Sequence, residues 1–323
     1  MSPSWTSLAG GSLLPFRSRR CVGIGVGREE LWAARVSAKG TRRFRVHWIR
    51  SRRLPLALFE GSPTPEMERA LTEALGELCA GLNRGSTPVQ VAIPDPAATV
   101  MAFEIDKLPH SVRMQRDWAR WRFAKEFSMR VQDIACTCQY LGREGNKHLL
   151  LAAAASSEWI RCLEQGLRQA GVLASAIDVD VCHRFNRFHD EIMTRGTGGV
   201  LVSLQPAAWS LLAWDAQARL RFVRSRWRRP APSGAAEEAI DKIASEVERV
   251  VRGYARTGSG GDVEQMFVTG ADEEIERLAR ILDGRLRERC TPLPMFRNYV
   301  MAPGVTAAQA HAASSALTAA IAR

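Results

Sequence analysis

The chain is 323 residues long and carries 45 Lys+Arg against 34 Asp+Glu, a formal charge of +11. Its 46% hydrophobic and 24% charged residues match the average of folded domains, which excludes a disordered or fibrous chain. At roughly 100–200 residues per domain, the length suits two domains or one two-lobed body.

No uncharged apolar run approaches the roughly 20 residues that cross a bilayer; the longest stretch, Leu201–Asp215, is broken by Pro206. No Lys or Arg precedes the apolar stretch Leu8–Phe16, so the charged segment of a secretion signal is missing and a cytoplasmic location is expected. The seven cysteines are scattered, and Cys136-Thr137-Cys138 is too tightly spaced for a zinc pair. Buried, reduced thiols are expected, and no metal site. Arginine far outnumbers lysine, a skew that a GC-rich genome produces without selection on charge. The basic balance is therefore weak evidence for a nucleic-acid or lipid partner.

Residues 1–18 are Pro/Gly-punctuated and read as a flexible arm. Cys21–Gly27 reads as a strand entering a tight turn, and Leu31–Ser37 and Phe44–Arg50 follow as strands joined by the hairpin Ala38–Thr41. Pro63–Leu82 is helical, with Met67, Leu71, Leu75 and Leu78 at helical spacing, Thr64 as N-cap and Pro65 at the first position. Pro88–Ile93 and Thr99–Ile105 are strands. Val112–Phe127 is a helix with Met114, Trp118 and Trp121 on one stripe. Cys136–Leu141 pairs with His148–Ala154, and the helix Ser157–Ala170 stops at Gly171. The strand Ala176–Val181 then leads into a polar helix ending near Met193.

The linker 194–199 opens a second half that repeats the first. Val200–Leu204, Trp209–Trp214 and Leu220–Arg226 are strands. The loop Pro230–Gly234 precedes a helix Glu237–Arg256 whose Ile240, Ile243, Val247, Val251 and Tyr254 share a face. The strand Gln265–Thr269, the helix Glu273–Leu286, a Pro-rich segment Thr291–Pro294 and an Ala-rich helix Ala307–Ala322 close the chain. Both halves read strand, strand, strand, helix, strand, helix, which predicts a duplicated α/β fold.

Five stretches, Val22–Trp32, Ala119–Phe127, Leu150–Cys162, Ala170–Asp180 and Glu246–Tyr254, resemble in order and spacing the PilM family of type IV pilus assembly proteins. That family lies in the actin-like ATPase superfamily, and MshI and the cytoplasmic domain of GspL are related to it. The resemblance implies a duplicated actin-like/ribonuclease-H-like two-lobed fold with an inserted small α/β subdomain. The first lobe would comprise residues 19–88, 175–196 and a C-terminal helix 305–323. The inserted subdomain would be 89–174 and the second lobe 197–304.

Such a fold implies ATP or ADP with magnesium, held by three turns, and each turn departs from the family pattern here. Gly25 stands in place of the family Asp and Trp32 in place of its Lys, while Gly27 is kept. Ser203, Gln205 and Pro206 replace the second phosphate turn's Asp, Gly and a donor N–H. Thr269-Gly270-Ala271-Asp272 replaces a run of glycines at the adenosine turn. The expectation is a degenerate nucleotide site at Gly25, Gly27, Ser203, Gln205, Thr269 and Gly270, with Asp178 and Asp180 as the remaining candidate catalytic carboxylates.

The resemblance also implies a cytoplasmic adaptor at the bacterial inner membrane, binding the cytoplasmic tail of a PilN-like membrane protein. Trp118, Arg120, Arg122 and Phe123 are the candidate partner residues, with Trp121 expected in the core and Phe123 exposed. The two paired strands of the insertion offer an edge to an extended tail. The Arg42–Arg53 tract suits an anionic membrane surface, and self-association stays open. One alternative is an active ATP-binding ATPase of the PilM type. A weaker one is a single-stranded nucleic-acid binder using Trp118, Trp121 and the arginines of 219–229. The alternate spacing of Arg219, Arg221, Arg224, Arg226 and Arg228 reads instead as a solvated sheet face, so no specific nucleic acid is expected.

Overall fold

The computed structural model describes residues 20–39, 43–82, 87–193, 197–228, 236–256 and 263–321. The expected arm 1–18, the hairpin tip Gly40-Thr41, most of the linker's first half and the loop 230–234 lie outside the described residues. The chain divides into two compact units: Met1–Thr99, Phe103–Arg187 and Asn298–Arg323 form one, Val100–Ala102 and Phe188–Arg297 the other.

In the first unit, β1 (Arg20–Val26), β2 (Glu30–Lys39) and β3 (Arg43–Arg53) form an antiparallel meander. Helix α1 (Pro65–Leu78) follows, with the Thr64 hydroxyl accepting the Met67 N–H at 3.3 Å and Pro65 opening the first turn. Then come β4 (Val89–Ile93), β5 (Ala98–Ile105), α2 (Val112–Glu126), β6 (Ile134–Glu144), β7 (Lys147–Ser156), α3 (Ser157–Gln169), β8 (Ala174–Val179) and α4 (Asp180–Ile192). Gly171, at φ +76°, ends α3 in the left-handed conformation that glycine adopts without a Cβ clash.

The second unit holds β9 (Gly199–Leu204), β10 (Ala208–Trp214), β11 (Leu220–Trp227), α5 (Ala236–Arg256), β12 (Gln265–Gly270), α6 (Asp272–Asp283) and β13 (Cys290–Pro294). The chain closes in the first unit with β14 (Tyr299–Val300), α7 (Ala307–Ala312) and α8 (Ser314–Ala319). The Ala-rich end is therefore two short helices meeting at Ala313. The Pro-rich segment 291–294 is a strand, which suits proline because β13 lies at the sheet edge.

The duplication is visible in the sheets. The larger has the order β14-β3-β2-β1-β4-β8 and the other β11-β10-β9-β12-β13, so both carry a 3-2-1-4-5 core. In each, the first three strands are antiparallel and the last two run parallel to the first. One face of the first sheet buries Val22, Ile24 and Val26 against Leu71 and Leu75 of α1 and Ile160 and Leu163 of α3. One face of the second buries Val200, Val202 and Leu204 against Ile240 and Val247 of α5 and Leu278 and Leu282 of α6. Burial of such aliphatic faces, at about 25 cal/mol per Å² of apolar surface, drives each unit together.

A third sheet, β5-β7-β6, carries α2 on β6 and β7. An insertion beginning at Val89 would cut the first sheet, because β4 pairs with both β1 and β8. Likewise α3 packs on α1 in the first unit's core. The added layer thus occupies Ala98–Ser156 rather than 89–174. The seven cysteines are free thiols, five of them buried.

Candidate functional site

The first phosphate turn joins β1 to β2. Gly25 faces not a ligand but α8: a Cβ at position 25 would lie 2.7 Å from the Ala316 amide nitrogen and 3.0 Å from the Ser315 Cβ. Two residues earlier, a Cβ on Gly23 would meet the Ala316 carbonyl oxygen at 1.9 Å. Distances under 3.0 Å leave no room for any side chain. The Gly25 position, read as part of a nucleotide site, is a seat for the C-terminal helix.

The rest of that turn is closed on itself. The Gly27 N–H donates to the Glu30 carbonyl at 2.8 Å. The carbonyls of Glu29 and Arg28 accept from the N–H groups of Leu54 and Leu58, each at 2.7 Å, so the loop after β3 is laced across the turn. The Arg28 guanidinium pairs with Glu60. Trp32 lies opposite Gly25 in the β1–β2 register.

Asp180 is fully buried, with both carboxylate oxygens engaged. It accepts from Arg184 Nε at 2.8 Å, Ser315 Oγ at 2.9 Å and Thr318 Oγ1 at 3.0 Å. Arg184, also fully buried, donates its Nη2 to Ser314 Oγ at 2.7 Å. Both carboxylate oxygens are thus used in latching α8 to the start of α4. Asp178, one residue before the end of β8, lies in the cross-strand row of Ala92 and Gly25. It is buried, and burial pushes its carboxyl up to about 8, so it is un-ionised at neutral pH. His183, buried near Asp180, is held neutral by burial, its imidazole pushed down to about 4. Sequence reasoning singles out Asp178 and Asp180 but misses His183 and Arg184, which are buried with them. Their one signal is the unusual density of ionisable residues where a strand passes into a helix.

In the second unit the phosphate and adenosine turns lie at neighbouring strand ends. Ser203 on β9 stands opposite Thr269 on β12 in parallel register. Both are fully buried, and neither hydroxyl has a partner among the described residues. The Gln205 N–H is bonded to the Ala208 carbonyl at 2.8 Å, and the Gln205 carbonyl accepts from Arg228 Nη1 at 2.9 Å. Gly270 is needed for close approach: a Cβ there would meet the Leu204 Cβ at 2.8 Å and its carbonyl oxygen at 2.9 Å. Arg228 also forks onto Glu274 at 3.0 and 2.6 Å, tying the phosphate turn to the start of α6. The first turn of α6 carries Asp272, Glu273 and Glu274, and its N-cap Ala271 offers no side-chain acceptor. A helix N-terminus favours anions, but Asp272 and Glu273 oppose phosphate here, Glu274 being held by Arg228. The residues present do not fit a magnesium-nucleotide.

The inserted layer reverses two expectations. Phe123 is 1% exposed because its ring packs edge-on against Phe103 of β5, centroids 5.4 Å apart. Trp121 is 49% exposed and Met114 is exposed too, so part of the stripe read from the sequence exists but faces solvent. Trp118 is half-buried, edge-on to Phe103 at 5.6 Å, with the Arg122 guanidinium over both rings at 5.8 Å. Arg120 reaches Asp117 at 3.6 Å. The Nε atoms of Arg116, Arg120 and Arg122 are buried without a partner among the described residues.

The arginines of residues 219–228 are only partly a solvated face: Arg226 is exposed, but each of them lies within reach of a carboxylate. Arg219 and Arg221 share Asp215 at 2.8 and 2.7 Å, Arg226 holds Glu246 at 3.0 Å, Arg224 lies 4.0 Å from it, and Arg228 holds Glu274. Three carboxylates, Asp215, Glu246 and Glu274, therefore offset part of the charge that phosphates would need. In the Arg42–Arg53 tract, Arg50 donates to the Ala80 carbonyl at 2.8 Å beyond the end of α1, and Arg52 pairs with Glu77.

These sheets define an actin-like ATPase fold. No protein-family profile matches the chain, and no curated protein sequence does. Among solved structures it is similar to a PilM-PilN type IV pilus biogenesis complex, with 16% identity and a TM-score of 0.69 over 93% of this chain and 97% of that one. It is also similar to a Bacteroides thetaiotaomicron protein with an actin-like ATPase fold and unknown function. The identity there is 9% and the TM-score 0.53, over 85% of this chain and 91% of that one. At such identities the likeness is one of fold.

Proposed function

We propose that this chain is a non-hydrolysing actin-like scaffold that receives the cytoplasmic tail of a PilN-like protein at the bacterial inner membrane. The observation that carries the reading is the filled position 25: the α8 backbone stands where a magnesium-binding carboxylate would have to fit. The closed Gly27 turn and the acidic start of α6 support it independently. Without a place for phosphates, the fold's remaining use is as a surface.

The tail would bind along the added layer. β6 is an edge strand with one side of its backbone open to pairing. α2 lies over it, bringing the unpartnered Nε groups of Arg116 and Arg120 near Cys136 on that strand. Arg122 and half-buried Trp118 continue the basic and aromatic lining, whereas Phe123 drops out because it is core. An extended, acidic tail suits this chemistry. The similar solved structure, a complex of PilM with PilN, makes a PilN-like tail the first partner to test.

The experiment is a calorimetric titration of the purified chain with the synthetic cytoplasmic tail of the PilN-like protein from the same genome. Saturable binding that Arg116→Glu with Arg120→Glu abolishes supports the reading. No binding, or binding untouched by the double substitution, removes it.

A further inference from the structure

Exposed large apolar side chains are concentrated in one place. Nine are found among the described residues, and seven of them fall between Val112 and Tyr140. Such clustering is unlike the scattered apolar residues of an ordinary surface and marks an interaction site. On α2 the exposed pair Met114 and Trp121 is two turns apart, on the side opposite buried Ala119 and Phe123. The Lys125 ammonium lies 5.5 Å from the centroid of the Trp121 ring, on the same outer face. Phe127 and Met129 extend the exposed patch past the helix end.

Charge decides what covers it. Residues 112–131 carry six Arg or Lys against two acids, Asp117 and Glu126. Asp117 is already shared between Arg113 and Arg120. Arg130, past the helix end, is held by Asp133 at 2.7 Å, but a second copy docking through the same face would still set Lys125 and its basic neighbours against like charges. The patch is the outer side of a helix, opposite the residues that the helix buries. A tryptophan beside an ammonium, flanked by methionine and phenylalanine, suits the headgroup boundary of a bilayer: the rings enter the interface and the cations meet phosphate.

We propose that the outer face of α2, centred on Met114, Trp121 and Lys125, rests on an anionic phospholipid surface. This places membrane contact on α2 rather than on the Arg42–Arg53 tract. There Arg50 and Arg52 are engaged with α1 and its neighbours, and no large apolar residue of residues 43–53 is among the exposed ones. The contact is made by the chain alone and holds whether or not a tail binds β6.

The test is flotation of the purified chain with vesicles of phosphatidylglycerol and phosphatidylethanolamine, with phosphatidylcholine vesicles as control. The chain should float with the anionic vesicles only. Met114→Ser with Trp121→Ser should weaken binding about tenfold or more, while Arg43→Glu with Arg45→Glu changes it little. Both apolar side chains are exposed, so an unchanged thermal melt shows that the double variant remains folded. Failure of the parent chain to float overturns the proposal, as does equal flotation of the Met114/Trp121 variant. A concentration-dependent dimer that this variant converts to monomer, without vesicle binding, overturns it in favour of self-association.

Discussion

Gly25 in β1 and Ala316 in α8 approach so closely that a Cβ on residue 25 would stand 2.7 Å from the Ala316 nitrogen. Helix seating and a carboxylate at this position exclude one another. Gly25→Asp should therefore cost about 3 kcal/mol or more, by overpacking and by burying a charge against backbone. Urea unfolding measures that loss. The same variant should bind no more Mg-ATP than the parent, and acquired binding would contradict the seat.

The latch beneath α8 has a distinct energetic signature. Asp180 and Arg184 are fully buried and 2.8 Å apart. Removing the carboxylate by Asp180→Ala leaves an uncompensated buried guanidinium and should cost about 3–5 kcal/mol. Adding Arg184→Met should recover part of this, because a buried pair replaced on both sides is often close to neutral. A double-mutant cycle read by chemical denaturation checks it; simple additivity would deny the coupling.

Ser203 and Thr269 should respond in the opposite direction. Their hydroxyls are buried and unpartnered among the described residues. Ser203→Ala and Thr269→Val each remove a buried hydroxyl without changing shape much, and should stabilise by about 1 kcal/mol. A rise in melting temperature is the expected result. A fall would mean that the hydroxyls are satisfied by something that the fold needs.

The dependence of stability on pH follows from two buried groups. Burial raises the Asp178 carboxyl from 3.8 to about 8, so folding takes up a proton and stability falls as pH rises across that range. Burial lowers His183 from 6.5 to about 4, so folding releases a proton and stability rises with pH between those values. The two slopes oppose one another from about pH 4 to 6.5. Above that only the Asp178 slope remains, and stability should decline toward pH 8 by at most about 1.4 kcal/mol per unit. Denaturation of Asp178→Asn at pH 6.5 and pH 8 should show the decline removed.

What the sequence made legible was local. The meander of β1, β2 and β3, the Thr64 cap, the β6–β7 pairing and the Gly171 stop are all set by neighbours a few residues apart. The repeat followed because each half writes the same run of elements. The seat of α8 on β1 joins residues nearly 300 positions apart, and no periodicity in either segment records it. On α2, arginines are spread on several sides of the helix, so the helical stripe was plain but its direction was not. Phe103, on a separate strand, draws Phe123 inward and leaves Trp121 outside. The arginines of 219–228 showed their alternation, but not Asp215, Glu246 and Glu274, with which they pair.

The central claim is that the protein itself fills the nucleotide turns of this actin-like fold. Thermal unfolding with and without Mg-ATP or Mg-ADP, paired with calorimetric titration, addresses it most directly. A ligand present at a hundred times its dissociation constant adds about 2.7 kcal/mol of stability, which is a shift of a few degrees for a chain of this size. The account predicts no shift and no binding heat with either nucleotide. A magnesium-dependent shift of that size, lost in an Asp178→Asn variant, would contradict it.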